Sequence, residues 1–120
     1  MTTLPSVIAD KDDARRVERL REVNRSAGMR EFAKRRDGMI HAMDGGLWLH
    51  RHVWRGERMV HLVSTDRARL LAYGDAIGMP SRRLQHKPLR DPRTAIRVEA
   101  WHWDLGGPIY PPHDDALLSG

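Results

Sequence analysis

The sequence predicts an α+β fold in a single small domain, and three observations carry that expectation. Two neighbouring segments, Leu47 to Trp54 and Arg58 to Ser64, alternate with the two-residue period of strands. A helical stripe of Leu70, Tyr73 and Ile77 follows, with a clear start and stop. A third alternating segment, Ala95 to Leu105, comes after it. Together these give a β-hairpin, one crossover helix and a sheet of three to four strands, preceded by a charged N-terminal helix.

Taken in order, Asp10 to Ala27 is the charged helix. Asp10, Asp12 and Asp13 suit its positive N-terminal end and Gly28 its stop. Its apolar stripe is narrow, consisting of Ala14, Val17, Leu20 and Ala27, so it either docks one edge or packs on a second copy as a homodimer. Met29 to Arg36 is expected to continue it after a kink. Asp37 to Gly46, with three glycines and two aspartates, reads as a linker. On this reading residues 1–46 are a helical segment and linker, 47–105 the compact domain, and 106–120 an irregular tail rich in Gly and Pro. Arg55-Gly56-Glu57 has hairpin length and makes the first two strands antiparallel. Ser64 or Thr65 caps the next helix, Asp66 sits in its first turn, and Gly78 and Pro80 end it. Ser81 to Gln85 is read as a short returning strand that makes a βαβ-like unit. His86 to Arg93 is read as a basic loop.

A chain of 120 residues holds one core of normal size. With 40% hydrophobic and 31% charged residues, part of it should be poorly buried. No run approaches the roughly 18 apolar residues of a membrane span. Met1 to Ala9 also lacks the basic start and apolar stretch of a signal peptide, so the expectation is a cytoplasmic protein with no membrane partner. Zero cysteines exclude disulfides and thiolate metal sites.

The net charge of +5 is unevenly spread. Asp10 to Arg36 carries ten Lys or Arg against six Asp or Glu, and Arg82 to Arg97 carries six against one. From Val98 onward there is no Lys or Arg. Arginine forks match phosphate oxygens, so Arg82, Arg83, Gln85, Lys87, Arg90 and Arg93 are the anion- and nucleic-acid-binding candidates. The plainer explanation is a solvated arginine-rich surface that serves solubility.

The histidines suggest chemistry. His50 and His52 alternate along one strand, His61 lies in the next, and His102 and Asp104 alternate in the last. Two imidazoles on one side of a strand suit a divalent metal if His61 or Asp104 supplies a third ligand. No metal-specific spacing such as His-Glu-x-x-His is present, and no cofactor is expected. His61, His102 and Asp104 are the candidates for acid–base catalysis, with the carboxylate orienting an imidazole. The bland reading is a polar cluster, with His-Arg-His as an exposed strand face. The four tryptophans are read mainly as core, although Trp101 and Trp103 directly follow the basic segment and could stack bases. No Gly-rich phosphate loop, kinase signature or serine nucleophile elbow is present.

Several of these residues also carry a family resemblance. They are Arg58-Met-Val-His61-Leu-Val-Ser-Thr, a helix ending Ala76-Ile-Gly-Met-Pro80, Arg82-Arg83-Leu-Gln85, and His102-Trp-Asp104-Leu. Between about Arg58 and Leu105 the chain resembles a small bacterial and phage family catalogued as a domain of unknown function. That family shows a histidine-bearing strand, a Leu-Gly-x-Pro-like helix stop, an Arg-Arg-x-x-Gln-like segment and a His-Tyr-Asp-like ending. Here Ser64-Thr65-Asp66 replaces its Ala-Asp-Thr-like turn, and Trp103 its tyrosine. The resemblance implies fold and site position, not an activity.

Two functions follow. The first is a basic binding protein that contacts nucleic acid or an acidic protein partner through Arg82, Arg83, Lys87, Arg90 and Arg93, with a phage-type effector as one version. The alternative is a small hydrolase or phosphate-acting enzyme that uses His61, His102 and Asp104.

Overall fold

The computed structural model describes residues 13–106. Asp10, Asp12 and the tail from 107 onward lie outside them, as do the side chains of Asp13, Ala14 and Val17. The elements are α1 (Asp13–Ala27), α2 (Arg35–Met43), β1 (Trp48–Trp54), β2 (Glu57–Ser64), α3 (Arg67–Ile77), a 3-10 turn at Ser81–Arg83, β3 (Gln85–His86), β4 (Leu89–Arg90), β5 (Arg97–Val98) and β6 (Trp101–Asp104). The fold is α+β. Among the described residues no helix is long and apolar enough to cross a membrane.

The hairpin forms as the alternation requires. β1 and β2 pair antiparallel from Trp48 opposite Val63 to Trp54 opposite Glu57. The connection is two residues rather than three, because Arg55 and Gly56 both take positive φ (50° and 79°). That is the twist-matched type I′ geometry of tight hairpins. The sheet order is β1-β2-β6-β3, and every neighbouring pair is antiparallel. β3 therefore runs parallel to β2, as the βαβ-like reading expects, but β6 is inserted between them. Its contribution is two residues, because Ser81–Arg83 form the 3-10 turn.

Strand parity places the main core on one face. Leu47, Leu49, Val60, Leu62, Trp103 and Leu105 pack there against Leu70, Tyr73 and Ile77 of α3 and Leu20 of α1. The α3 stripe and its ends follow the sequence. Asp66 is the cap, its Oδ1 accepting from the Arg69 N–H at 3.0 Å, while Ser64 Oγ accepts from the Asp66 N–H. At the other end Gly78 is left-handed, and the Met79 N–H closes back on the Gly74 carbonyl at 2.7 Å. Thr65 does not cap α3. Its Oγ1 donates to the Ala42 carbonyl at 2.7 Å and so ties down the end of α2.

The N-terminal third departs from expectation. Residues 37–46 are not a linker, because α2 occupies most of them and packs on the opposite face of the sheet, burying Ala42 against Trp48 and Val63. Two of the three glycines that read as breakers are contact points. The Trp48 ring lies on Gly38 and the His41 ring on Gly46, where any side chain would overlap them. Met29 to Arg36 does not extend α1 either. Gly28 ends it at φ +71°, and Arg30 bridges to the edge of β1, its N–H donating to the Leu47 carbonyl and its carbonyl accepting from the Leu49 N–H.

α1 belongs to the same body, so the compact part does not begin at Leu47. Leu20 is fully buried, Val23 and Ala27 pack beside it, and Tyr73 donates to Asn24 Oδ1 at 2.9 Å. Burying one such leucine contributes about 1.5–3 kcal/mol, enough to hold a polar helix by one edge. Of the two uses expected for that edge, docking or pairing with a second copy, the fold shows docking, since it faces α3 of its own chain. The long strand expected over Ala95 to Leu105 is two short ones, β5 pairing β4 and β6 pairing β2 and β3. The expected basic loop from His86 to Arg93 contains β3's end and β4.

Trp103 and Gly74 together generate a test. The fully buried indole donates its Nε1–H to the Leu70 carbonyl at 2.7 Å, and its ring lies against Gly74 in mid-helix. In an open helix Gly→Ala is worth up to about 1 kcal/mol of added stability. Here the methyl group would fall inside the Trp103 ring, and overpacking costs about 1–3 kcal/mol. Gly74→Ala is therefore expected to lower the free energy of urea unfolding by about that amount, and a more stable variant would contradict the contact.

Candidate functional site: an imidazole ladder

The face opposite the main core carries the histidines. His50 opposes His61 across the hairpin, His61 opposes Asp104 of β6, and Val63 opposes His102. Paired residues in a sheet project to the same side, so four imidazoles from three strands and the Asp104 carboxylate share one face. Gln85 joins them there, opposite His102. The rings form a continuous series. Trp48 stacks on His50 with centroids 4.6 Å apart, His50 on His52 at 4.5 Å, His52 meets His61 edge-on at 5.2 Å, and His61 lies 4.6 Å from His102.

The expected division into a His50–His52 pair and a separate His61, His102 and Asp104 group does not hold in space. Each strand's parity is read correctly, but register makes the two sets neighbours. A cleft of about 260 Å³ is lined by His50, His52, His61 and His102, with Arg35 and Lys87 as its cations and Leu89 beside them. α2 roofs the Trp48 end, where the Arg35 guanidinium lies 5.9 Å from the indole centroid.

The basic candidates are dispersed. Lys87 lines the cleft, and its backbone is held by donation to the Ala100 carbonyl at 2.8 Å. Gln85 lies exposed at the sheet edge, Arg82 and Arg83 are exposed in the 3-10 turn, and Arg90 is exposed on β4. Arg93 is committed elsewhere. Its guanidinium donates to Asp91 Oδ2 and Asp44 Oδ1, each at 3.0 Å, joining the β4–β5 connection to the end of α2. The hydrogen bonds from Arg93 hold the Asp91 carboxyl below its ordinary range. Arg35 was not singled out from the sequence, since nothing distinguishes it from Lys34 and Arg36 until α2 is seen to start there.

Burial sets the protonation of the ladder. Desolvation, reinforced by His52, Arg35 and His61, pushes His50 down to about 4. Desolvation with His61 and Lys87 pushes His102 to about 4, against a smaller opposing pull from Asp104. His61 is also lowered by desolvation, and Asp104 opposes this most strongly. At neutral pH these three rings are uncharged, each offering one N–H donor and one lone pair beside two fixed cations. An anion entering the cleft meets positive potential and hydrogen-bond donors, and its charge favours imidazolium. The Nδ1 of His52 is buried without a hydrogen-bond partner. Among the described residues, no three His, Asp or Glu side chains stand in metal-holding geometry. His50 and His52 stack face to face rather than aiming nitrogens at a common point.

A second crevice, of about 490 Å³, lies between α1 and α3 along Val23, Ala27, Leu47 and Tyr73. Its one cation, Arg69, donates to the Ala27 carbonyl at 2.8 Å and ties the two helices together. Compared with family models, with curated proteins and with solved structures, the chain matches none.

The depressed imidazoles fix a pH dependence. His50 and His102 stay neutral in the fold down to about 4, whereas they charge near 6.5 when unfolded. Their contribution is thus fully present above pH 6.5, is lost as pH falls from there to about 4, and changes no further below. Near pH 5 unfolding is expected to take up about two protons from this pair. Proton NMR titration of the imidazole C2–H signals checks it, and midpoints near 6.5 for both rings would contradict it.

Proposed function

We propose that the protein is a small phosphate-acting enzyme whose site is the histidine cleft. The observation that carries this reading is that His50, His61 and His102, from three adjacent strands, line one cleft with Arg35 and Lys87. A phosphate group presents several acceptor oxygens and negative charge, matching two cations and a set of neutral imidazole N–H groups. His61 is the proton acceptor in this scheme. Neutral in the free protein, it takes the proton of a water molecule whose oxygen attacks phosphorus, and Asp104 across the strand pair favours the imidazolium that forms. Arg35 and Lys87 offset the charge that develops on the phosphoryl oxygens. The ester oxygen leaves and takes a proton from solvent. The resemblance to the family of unknown function falls on the same region, since His61, Gln85, His102 and Asp104 stand in its motifs.

The non-catalytic alternative draws on the exposure of Arg82, Arg83 and Arg90, which would contact an acidic protein partner or nucleic acid directly. Binding through those arginines alone would survive loss of Lys87 and His102.

The test is turnover of p-nitrophenyl phosphate and bis(p-nitrophenyl) phosphate, alongside imidazole shifts on adding inorganic phosphate. His61→Ala and His102→Ala are each expected to lower kcat/KM by about 10²- to 10⁴-fold while the circular dichroism spectrum is kept. Lys87→Ala is expected to weaken phosphate binding. For wild type, kcat/KM should be level above pH 6.5 and fall on acidification, because the base must be neutral. No hydrolysis of either ester and no imidazole shift with phosphate would overturn the reading.

A further inference from the structure

The ring ladder stops short of one residue that shares its parity. Trp48, His50, His52 and Trp54 all project to the same face of β1, yet among the described residues the ring contacts run from Trp48 through His50 and His52 and then turn across to His61. Trp54 is left outside the series, 55% exposed beside the turn of the hairpin. The Arg55 guanidinium lies 4.5 Å from its ring centroid. A single exposed indole is ordinary on a protein surface. Its position gives this one meaning, because it prolongs a row of rings that starts inside the cleft.

Spacing says what would fit there. Side chains two residues apart on a strand stand about 7 Å from each other. The stacked rings nearer α2 close this distance by leaning together, to 4.6 and 4.5 Å. His52 stacks on His50 and meets His61 edge-on, and among the described residues no ring contact joins it to Trp54, so at least the strand's own spacing separates those two rings. About 7 Å is twice the thickness of an aromatic ring, room for one planar base between the imidazole and the indole. Charge gives the other half of the chemistry. Arg55 flanks the interval at the hairpin tip, and Lys87 and Arg35 line the cleft at its other end. The chain as a whole carries +5. Rings in a row with cations at both ends are the pattern that holds single strands, whose unpaired bases expose their faces. A duplex hides those faces.

We propose that the β1 face is a track for single-stranded nucleic acid, with one phosphodiester seated in the histidine cleft and a neighbouring base stacked on Trp54. The inference rests on the phosphate-acting reading of the cleft and names its substrate class. The strand lies along β1, its backbone following Arg35, Lys87 and Arg55.

The experiment measures fluorescence anisotropy of a labelled twelve-nucleotide single-stranded RNA, its DNA equivalent and the same sequence as a duplex, across a salt series. Wild type should bind the single strands more tightly than the duplex, with affinity falling as salt rises. Trp54→Ala should weaken single-strand binding about tenfold or more, Trp54→Phe should restore most of it, and neither should alter the circular dichroism spectrum. Imidazole shifts with inorganic phosphate should be the same in Trp54→Ala as in wild type. Equal affinity for single strand and duplex, or unchanged single-strand binding in Trp54→Ala, overturns the track and leaves the phosphate reading standing if those shifts persist. Loss of both phosphate shifts and oligonucleotide binding in wild type removes the two together. Burial of Trp54 in a dimer formed without nucleic acid, seen by sedimentation and indole quenching, would also overturn the track.

Discussion

The position of Trp103 governs this molecule. Its indole is fully buried between the sheet and α3, its N–H is satisfied by the Leu70 carbonyl, and its ring occupies space that Gly74 leaves free. Because side chains alternate strictly along a strand, turning Trp103 inward turns His102 and Asp104 outward. Pairing with β2 then fixes which residues they meet, with Asp104 beside His61 and His102 beside Val63. A slip of one residue would bury a carboxylate and an imidazole and expose the indole. A single packing demand in the core therefore aims the site on the far side of the sheet.

The site in turn imposes a cost on the fold. Three of its imidazoles are held uncharged by burial and by one another, and the fold loses stability as acid charges them in the unfolded chain. A cluster of like groups beside Arg35 and Lys87 is not what hydrophobic packing would select for that face. α2 covers the end where Trp48 and Val63 are apolar and leaves the imidazole end open. The molecule thus has three layers where α2 covers the far face of the sheet and two where that face is an open platform.

Much of this was legible in the residues. Alternation gave the hairpin and both of its faces, and the Leu70, Tyr73 and Ile77 stripe with Asp66 and Gly78 gave α3. The histidine strands pointed to a shared face. What stayed hidden had particular causes. α2 has little apolar periodicity and a glycine in its middle, and the Trp48 ring that settles on Gly38 is what anchors it to the sheet. The docking of α1 rests on Leu20, Val23 and Asn24, and the last of these is a polar residue whose burial depends on a hydroxyl donated from α3. Neighbourhood across strands is set by register, which no single strand's pattern contains, so His61 could be offered to the His50–His52 pair as a third ligand but not placed directly opposite His50. Arg93 looked like one more basic residue, while in space it is the clamp between Asp44 and Asp91.

The insertion of β6 between β2 and β3 also dictates an order of events. The hairpin and α3 use contacts between near neighbours in sequence and can organise early, whereas β6 joins the sheet only by closing a loop of about 40 residues back onto β2. As the chain leaves the ribosome, His50 and His61 can meet well before His102 has been made. The cleft is therefore incomplete in every nascent form too short to include β6, the strand that supplies His102 and Asp104.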